Sequence, residues 1–251
     1  MSTAPPPLPP AQPPSFPPAA PSEKSAISIV LIVIGAVLLI IFIISALAGL
    51  AAPAMIRMKK KGDQVIAISN GRMLALTLND FQAEYGSYPD RATAGLLASR
   101  KNHGLDLAGD HSNDYFRQLI AAGTTHLEDP FFAPTSISRV KPDNRTDNGH
   151  ALAPGEVGWG YVMNGDASLP NTSPDIPLAV TPVMPADPGR FDTRPYQQKA
   201  LVIHPDSSVR PVPLQRDGSA LTKDGRQLLD AGPGTVWPAG VRPVIKPPAA
   251  R

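Results

Sequence analysis

The stretch "AISNGRMLALTLNDFQAEYGSYPD", Ala67 to Asp90, decides how this chain is read. Ala67, Gly71, Leu74, Leu78, Phe81 and Tyr85 recur at alternating steps of four and three, which places them on one face of a helix. Asp63, Gln64, Asn70, Asn79, Asp80 and Gln82 fall largely elsewhere, so Asn79, one position round from Leu78, is expected on the solvent side. Gly86 can take the left-handed backbone that closes a helix, and Pro89 prevents resumption after it. The apolar face runs for only about three turns, too short for a coiled coil. It therefore calls for a sheet to cover it.

Upstream, no residue from Ser25 to Ile56 is charged. The core "AISIVLIVIGAVLLIIFIISALAGLAA" exceeds the roughly 20 apolar residues that cross the hydrocarbon of a bilayer. A transmembrane helix is the reading. A cleaved signal peptide is the alternative, with small residues at Ala46 and Ala48, but its apolar region would be about 7 to 15 residues and would follow a basic stretch. Pro53 would stop a soluble helix, whereas near the end of a membrane helix it makes a kink. The basic run "RMKKKG" follows. One long helix is thus expected to begin in the membrane and lay its far half on a domain.

The order of apolar span, "GLAAPAM", amphipathic continuation and "YGSYP" ending resembles the N-terminal half of type IV pilins and type II secretion pseudopilins. The resemblance covers Ile32 to Pro89, with Tyr85, Gly86, Tyr88 and Pro89 matching the close of the family's long helix. It implies a sheet-rich domain held outside the cytoplasm of a bacterial cell by a single pass through the inner membrane, with other pilin-like or secretion-system proteins as partners. Two of the family's features are missing. Set against Pro53, the residue in place of the processing glycine is Leu31, and the glutamate inside the span is replaced by Ala36. Gly35 offers another register, yet "AVLLI" after it contains no acid. The chain is therefore expected to escape the peptidase and keep its N-terminal segment. An unpaired carboxylate in hydrocarbon costs several kcal/mol and persists only for a purpose, so its absence argues against a filament subunit. The positive-inside rule, applied to Arg57, Lys59, Lys60 and Lys61, would place the domain in the cytoplasm instead. The lysines can reach anionic headgroups on either leaflet, and the outward orientation is preferred.

The remaining sequence sets the domain plan. Among 251 residues there are 31 prolines, no cysteine and a formal charge of only +2. Disulfides and thiolate chemistry are excluded, and scattered Lys and Arg leave no nucleic-acid footprint. Residues 1–24 form a Pro-rich, polyproline-like disordered tail, 25–56 the membrane helix and 57–89 its amphipathic continuation. Residues 90–238 make a small, loop-rich α+β domain, and 239–251 an extended C-terminal tail. Within the domain, "HSNDYFRQLIAAG" reads as a short helix with Ser112 or Asn113 as cap and Gly123 as terminator. "VGWGYVM", "IPLAVTPV", "KALVIHPDSSVRPVPL" and "SALTKDGRQLL" read as strands of an antiparallel sheet of three to five strands. Ala200 to His204 should pair with Val209 to Val212 across "PDSS".

No catalytic, cofactor or metal residues are assigned. His103, His111, His126, His150 and His204 lack metal-ligand spacing, and no Ser sits in a G-x-S-x-G elbow. Asp110, Asp114, Asp143, Asn144, Asp147 and Asn148 are oxygen donors of the type calcium takes, and some pseudopilins hold calcium in a loop. However, "DNRTDNGHALAP" lacks the glutamate at the twelfth position that an EF-hand needs, and such a loop is more often merely solvated. Trp159 and Trp237 read as packing residues. The function expected is that of a non-enzymatic, membrane-anchored, pilin-like envelope protein with a structural or assembly role. The alternative is a single-pass, membrane-tethered binding or sensor module.

Overall fold

The structure, a computed structural model, describes residues 23–100, 104–147, 149–171, 173–222 and 224–251. The chain forms two compact units, Met1–Ala54 and Met55–Arg251. The Pro-rich tail expected over residues 1–24 lies outside the described residues up to residue 22, and Glu23 already belongs to helix α1 (Glu23–Tyr85, 63 residues). His103 and Asn148 also lie outside them.

In the first unit, Ser28–Leu47 of α1 has 20 residues of mean hydropathy 3.4, none of them buried, and is long and apolar enough to cross a membrane. α1 runs through Pro53 as helix.

In the second unit, the C-terminal part of α1 is one wall of the core. Ala67, Leu74, Leu78 and Phe81 are fully buried, and Phe81 stacks on Tyr85 at 4.5 Å between ring centroids. At Gly71 the helix lies close against its cover. A Cβ there would lie 2.7 Å from Trp159 Cζ2 and 3.1 Å from Val209 Cγ2, so only glycine lets the indole lie against the helix. Asn79 corrects the expectation of a solvent position. It is half-buried, and its amide donates to Pro205 O at 2.8 Å and Ser207 Oγ at 3.1 Å. Apolar periodicity located the seam but not its polar edge, where a short amide satisfies a turn carbonyl.

Gly86 takes φ +80° and its N–H bonds Gln82 O, closing α1 as its sequence predicts. The residues after it join elements. Pro89 O accepts the buried hydroxyl of Tyr161 at 2.9 Å. Asp90 Oδ1 accepts the Thr93 N–H at 2.8 Å while Thr93 Oγ1 accepts the Asp90 N–H at 2.8 Å. This reciprocal pair starts helix α2 (Arg91–Arg100), which apolar periodicity did not reveal. Helix α3 (Ser112–Ala122) ends at Gly123 with φ +83°. Its N-cap is His111, and the two residues expected to cap it bind elsewhere. Ser112 Oγ donates to Trp159 O at 2.7 Å and Asn113 Nδ2 to Leu152 O at 2.8 Å. Polar side chains at a helix start serve tertiary partners when those carbonyls are buried.

The strands are β1 (Gly160–Asn164), β2 (Ala179–Thr181), β3 (Val183–Met184), β4 (Asp187–Phe191), β5 (Lys199–Ile203), β6 (Val209–Pro213) and β7 (Pro243–Lys246). Five of them form an antiparallel sheet in the order β6-β5-β2-β1-β7, and β3 and β4 form a separate ribbon. The class is mixed helix and sheet, as expected. The β5–β6 hairpin has the expected pairing, with Ile203 opposite Val209 and Ala200 opposite Val212. "IPLAVTPV" is split between the sheet and the ribbon.

Two expectations fail. Among the described residues "SALTKDGRQLL" forms the single bridges Leu214–Ala220 and Leu221–Gln227 in place of a strand, because the Asp217-Gly218 and Asp224-Gly225 turns follow each other too closely for a ladder. Residues 239–251 are not a free tail. Pro243–Lys246 pairs with Tyr161 to Asn164 of β1, Ser112 N–H donates to Pro247 O at 2.9 Å, and Ala249 N–H donates to Asn113 Oδ1 at 2.8 Å. The prolines that suggested a tail suit an edge strand, which pairs on one side only. The opposite edge, β6, carries Pro211 and Pro213 for the same reason. Prolines at both edges also discourage pairing with another chain.

Candidate functional site

The segment between α3 and β1 is placed by one close approach. A Cβ on Gly158 would lie 2.2 Å from Ala133 O, so glycine is required there. The Gly158 N–H also donates to Phe131 O at 3.0 Å. These contacts press the 3-10 turn Asp129–Phe131 against residues 156–158. Glu128 is the N-cap of that turn. The intervening loop closes over both segments, since Asn144 Oδ1 accepts the Glu128 N–H at 2.8 Å and Val140 N–H donates to Gly155 O at 3.1 Å. Asn144 holds φ 57°, a left-handed conformation that asparagine tolerates better than most residues. The C-terminal segment fastens the arrangement from outside through Gly155 N–H to Ala249 O at 3.0 Å.

The result is a cluster of carboxylates. One oxygen each of Glu128, Asp143 and Glu156 lies within 4.8 Å of the other two. Glu128 is fully buried and Glu156 nearly so, while Asp143 is exposed. Glu128 Oε1 accepts the Leu152 N–H at 2.7 Å, and Glu156 Oε2 accepts the Ala153 N–H at 2.7 Å. Glu128 Oε2 is buried without a hydrogen-bond partner. Burial pushes the Glu128 carboxyl above its usual range; the Leu152 N–H opposes this, and the charges of Glu156 and Asp143 add to it. Burial raises Glu156 as well, against the Ala153 N–H, with Asp143 again adding to the effect. Like charges gathered in a poorly solvated place are costly unless a proton or a cation neutralises them.

Among the described residues, Asp143 is the one oxygen donor singled out in the sequence that belongs to this cluster, and Asn144 supports it. Asp114 instead sits in the first turn of α3, 2.7 Å from Arg117 Nη1. Asp147 is paired within its own loop with His150 at 2.7 Å and Arg145 at 3.5 Å. Asp110 is exposed. Glu128 and Glu156 were missed. Their signal was an acid set among apolar residues, "HLEDPFF" and "PGEVGWG", where burial of a charge needs a reason. Trp159 is fully buried and Trp237 nearly so, with Trp237 Nε1 donating to Leu228 O at 2.9 Å.

A second feature is an open cleft of about 400 Å³ lined by Ser136, Phe191, Asp192, Arg194, Arg216 and Asp217 among others. Two of its charges are paired: Arg194 Nη2 lies 2.8 Å from Asp192 Oδ2, which also accepts from Ser136 Oγ at 2.9 Å. Burial works to raise the Asp192 carboxyl, but the hydrogen bonds from Arg194 and Ser136 outweigh it and hold the group below its usual range. No family model, curated protein or solved structure matches the chain.

Proposed function

We propose that this chain is a membrane-anchored, non-enzymatic, pilin-like envelope protein that presents its Met55–Arg251 unit outside the cytoplasm for structural or assembly contacts with pilin-like or secretion-system proteins. The observation that carries the reading is α1 itself. One helix supplies both the exposed apolar stretch Ser28–Leu47 and the buried face Leu74, Leu78 and Phe81. An apolar stretch of that length in a bilayer fixes the protein to the membrane. The far part of the same helix is built into the core of the Met55–Arg251 unit, so the apolar stretch and the domain belong to one covalent element. The "YGSYP" close of the helix, with Pro89 and Asp90 binding Tyr161 and Thr93, supports the same reading. In this reading the protein lacks the span glutamate at Ala36 and therefore acts beside a filament or machine instead of polymerising.

Cross-linking in intact membranes followed by mass spectrometry tests the proposal, and pilin-like or secretion-system subunits should be recovered. Protease added to intact spheroplasts should remove the Met55–Arg251 unit. Protection until the membrane is lysed would place the unit in the cytoplasm. The reading as a tethered binding module has the cleft at Asp192 and Arg194 in its favour. It stands second because those charges already satisfy each other. A small molecule retained through purification would reverse that order.

A further inference from the structure

We propose that an open cleft beside the first charged turns of α1 binds the phosphate of an anionic phospholipid, so that the Met55–Arg251 unit contributes to membrane attachment through its own side chains. The cleft, of about 760 Å³, is formed by three segments of that unit: residues 56–66 of α1, residues 132–141 and residues 192–195. Side-chain bonds hold the three together. Asn70 Nδ2 donates to Phe132 O at 2.9 Å, Gln197 Nε2 to Arg57 O at 3.4 Å and Ser136 Oγ to Asp192 Oδ2 at 2.9 Å. Tertiary structure thus builds the cleft from cations that lie far apart in the sequence.

Charge selects the ligand. Five cations line the cleft, Lys59, Lys60, Arg139, Lys141 and Arg194, against two carboxylates, Asp63 and Asp192. Arg194 is already satisfied by Asp192 at 2.8 Å. Among the described residues the other four cations form no ion pair, and Arg139 Nε donates to a backbone oxygen, Ser136 O, at 2.6 Å. The positive excess of this one cleft is larger than the formal charge of the whole chain, +2. A single exposed lysine is usually just solvated, whereas a concave wall that gathers one sign focuses the field and concentrates counter-ions. Ile56, Ile66, Phe132 and Pro134 add an apolar side to the cleft, and Ile56 and Ile66 are exposed there. A free anion gains nothing from that side. A phospholipid does, because it presents a phosphate and the first acyl carbons together. Order along the chain agrees, since no residue from Ser25 to Ile56 is charged and Arg57, Lys59 and Lys60 are the first cations to follow. Basic residues directly after a span attract anionic headgroups, and Arg139 and Lys141 join them from a distant loop. This inference rests on the reading of α1 as a membrane anchor and not on a pilin-like role.

The test uses the full chain in mild detergent, in mixed micelles that carry phosphatidylglycerol and phosphatidylcholine in equal amounts. Native mass spectrometry should find phosphatidylglycerol retained over phosphatidylcholine by about fivefold or more. Arg139→Gln combined with Lys141→Gln, both at exposed positions outside α1, should cut that preference by about tenfold or more, since each cation near an anionic surface is worth roughly fivefold. Arg242→Gln, at an exposed position outside the cleft, should leave it unchanged. Inorganic phosphate at millimolar concentration should not displace the lipid. Flotation with phosphatidylcholine vesicles tests the anchor separately. A chain that fails to float overturns the anchor and this proposal with it, whereas one that floats but shows no preference for phosphatidylglycerol overturns the proposal and leaves the anchor standing. An unchanged preference in the double variant, an equal loss in Arg242→Gln, or displacement by phosphate alone also overturns it.

Discussion

The side-chain amide of Asn79 on α1 donates to the carbonyl of Pro205 in the β5–β6 turn at 2.8 Å. This bond and the burial of neighbouring Leu78 fasten the helix to the hairpin by two different forces, one directional and one not. Asn79 Oδ1 also accepts the Tyr88 hydroxyl at 3.2 Å, so this residue at the polar edge of the seam is bound through both amide atoms.

Replacing Asn79 by Asp keeps the acceptor for Tyr88 but removes the donor and sets a carboxylate against the Pro205 carbonyl. The loss should be about 1–3 kcal/mol, the usual penalty for an unsatisfied, partly buried carbonyl. Leu78→Asp should cost more, since loss of its apolar burial alone is worth about 2–5 kcal/mol. Denaturant melts of the full chain in detergent measure both. An Asn79→Asp variant as stable as the parent would show that the bond adds nothing.

Gly71→Ala and Gly62→Ala should move stability in opposite directions. Both lie in α1, where alanine is favoured over glycine by about 0.5–1 kcal/mol. At Gly62 a Cβ meets nothing within 4 Å, so the gain should be realised. At Gly71 it would strike the fully buried Trp159 ring, so the melting temperature should fall. Trp159 fluorescence should report the displacement of the ring in Gly71→Ala only.

His204 should make the domain less stable in mild acid. Burial lowers its pKa and Arg210 lowers it further, against Asp206 and Asp175. The unfolded chain therefore takes up the proton first as pH falls below about 6.5, and stability declines from there towards the lowered folded value. Above about pH 7 the contribution is fully present. Urea melts at intervals between about pH 7.5 and 5.5 should show a decline in the parent that His204→Gln lacks. Parallel curves for the two proteins would refute this assignment.

Membrane-extracted protein should show no mature N-terminus between Leu31 and Ala36 when analysed by mass spectrometry. The residues at those two positions replace the glycine and glutamate that processing and assembly require in the pilin-like reading. A terminus in that interval would mean that a peptidase accepts this site after all.

How much of this was legible depended on the range of the force involved. The apolar span, the face from Ala67 to Phe81, the Gly86 and Gly123 endings and the β5–β6 pairing are written locally. Helical periodicity, left-handed glycine and turn residues act over a few positions, so the sequence by itself determined those elements. It also drew attention to the oxygen-rich loop that holds Asp143 and Asn144. Tertiary structure alone decided that Pro243–Lys246 is an edge strand, because a proline-rich segment becomes a strand only where β1 offers it one free side. It alone decided that Asn113 binds Leu152 and Ala249 in place of capping its helix. Above all, it decided that Glu128 and Glu156 stand beside Asp143. Nothing in the local pattern of a lone glutamate says which other charge it will face. That depends on tertiary contacts such as the approach of Gly158 to Ala133, which brings together segments distant in sequence.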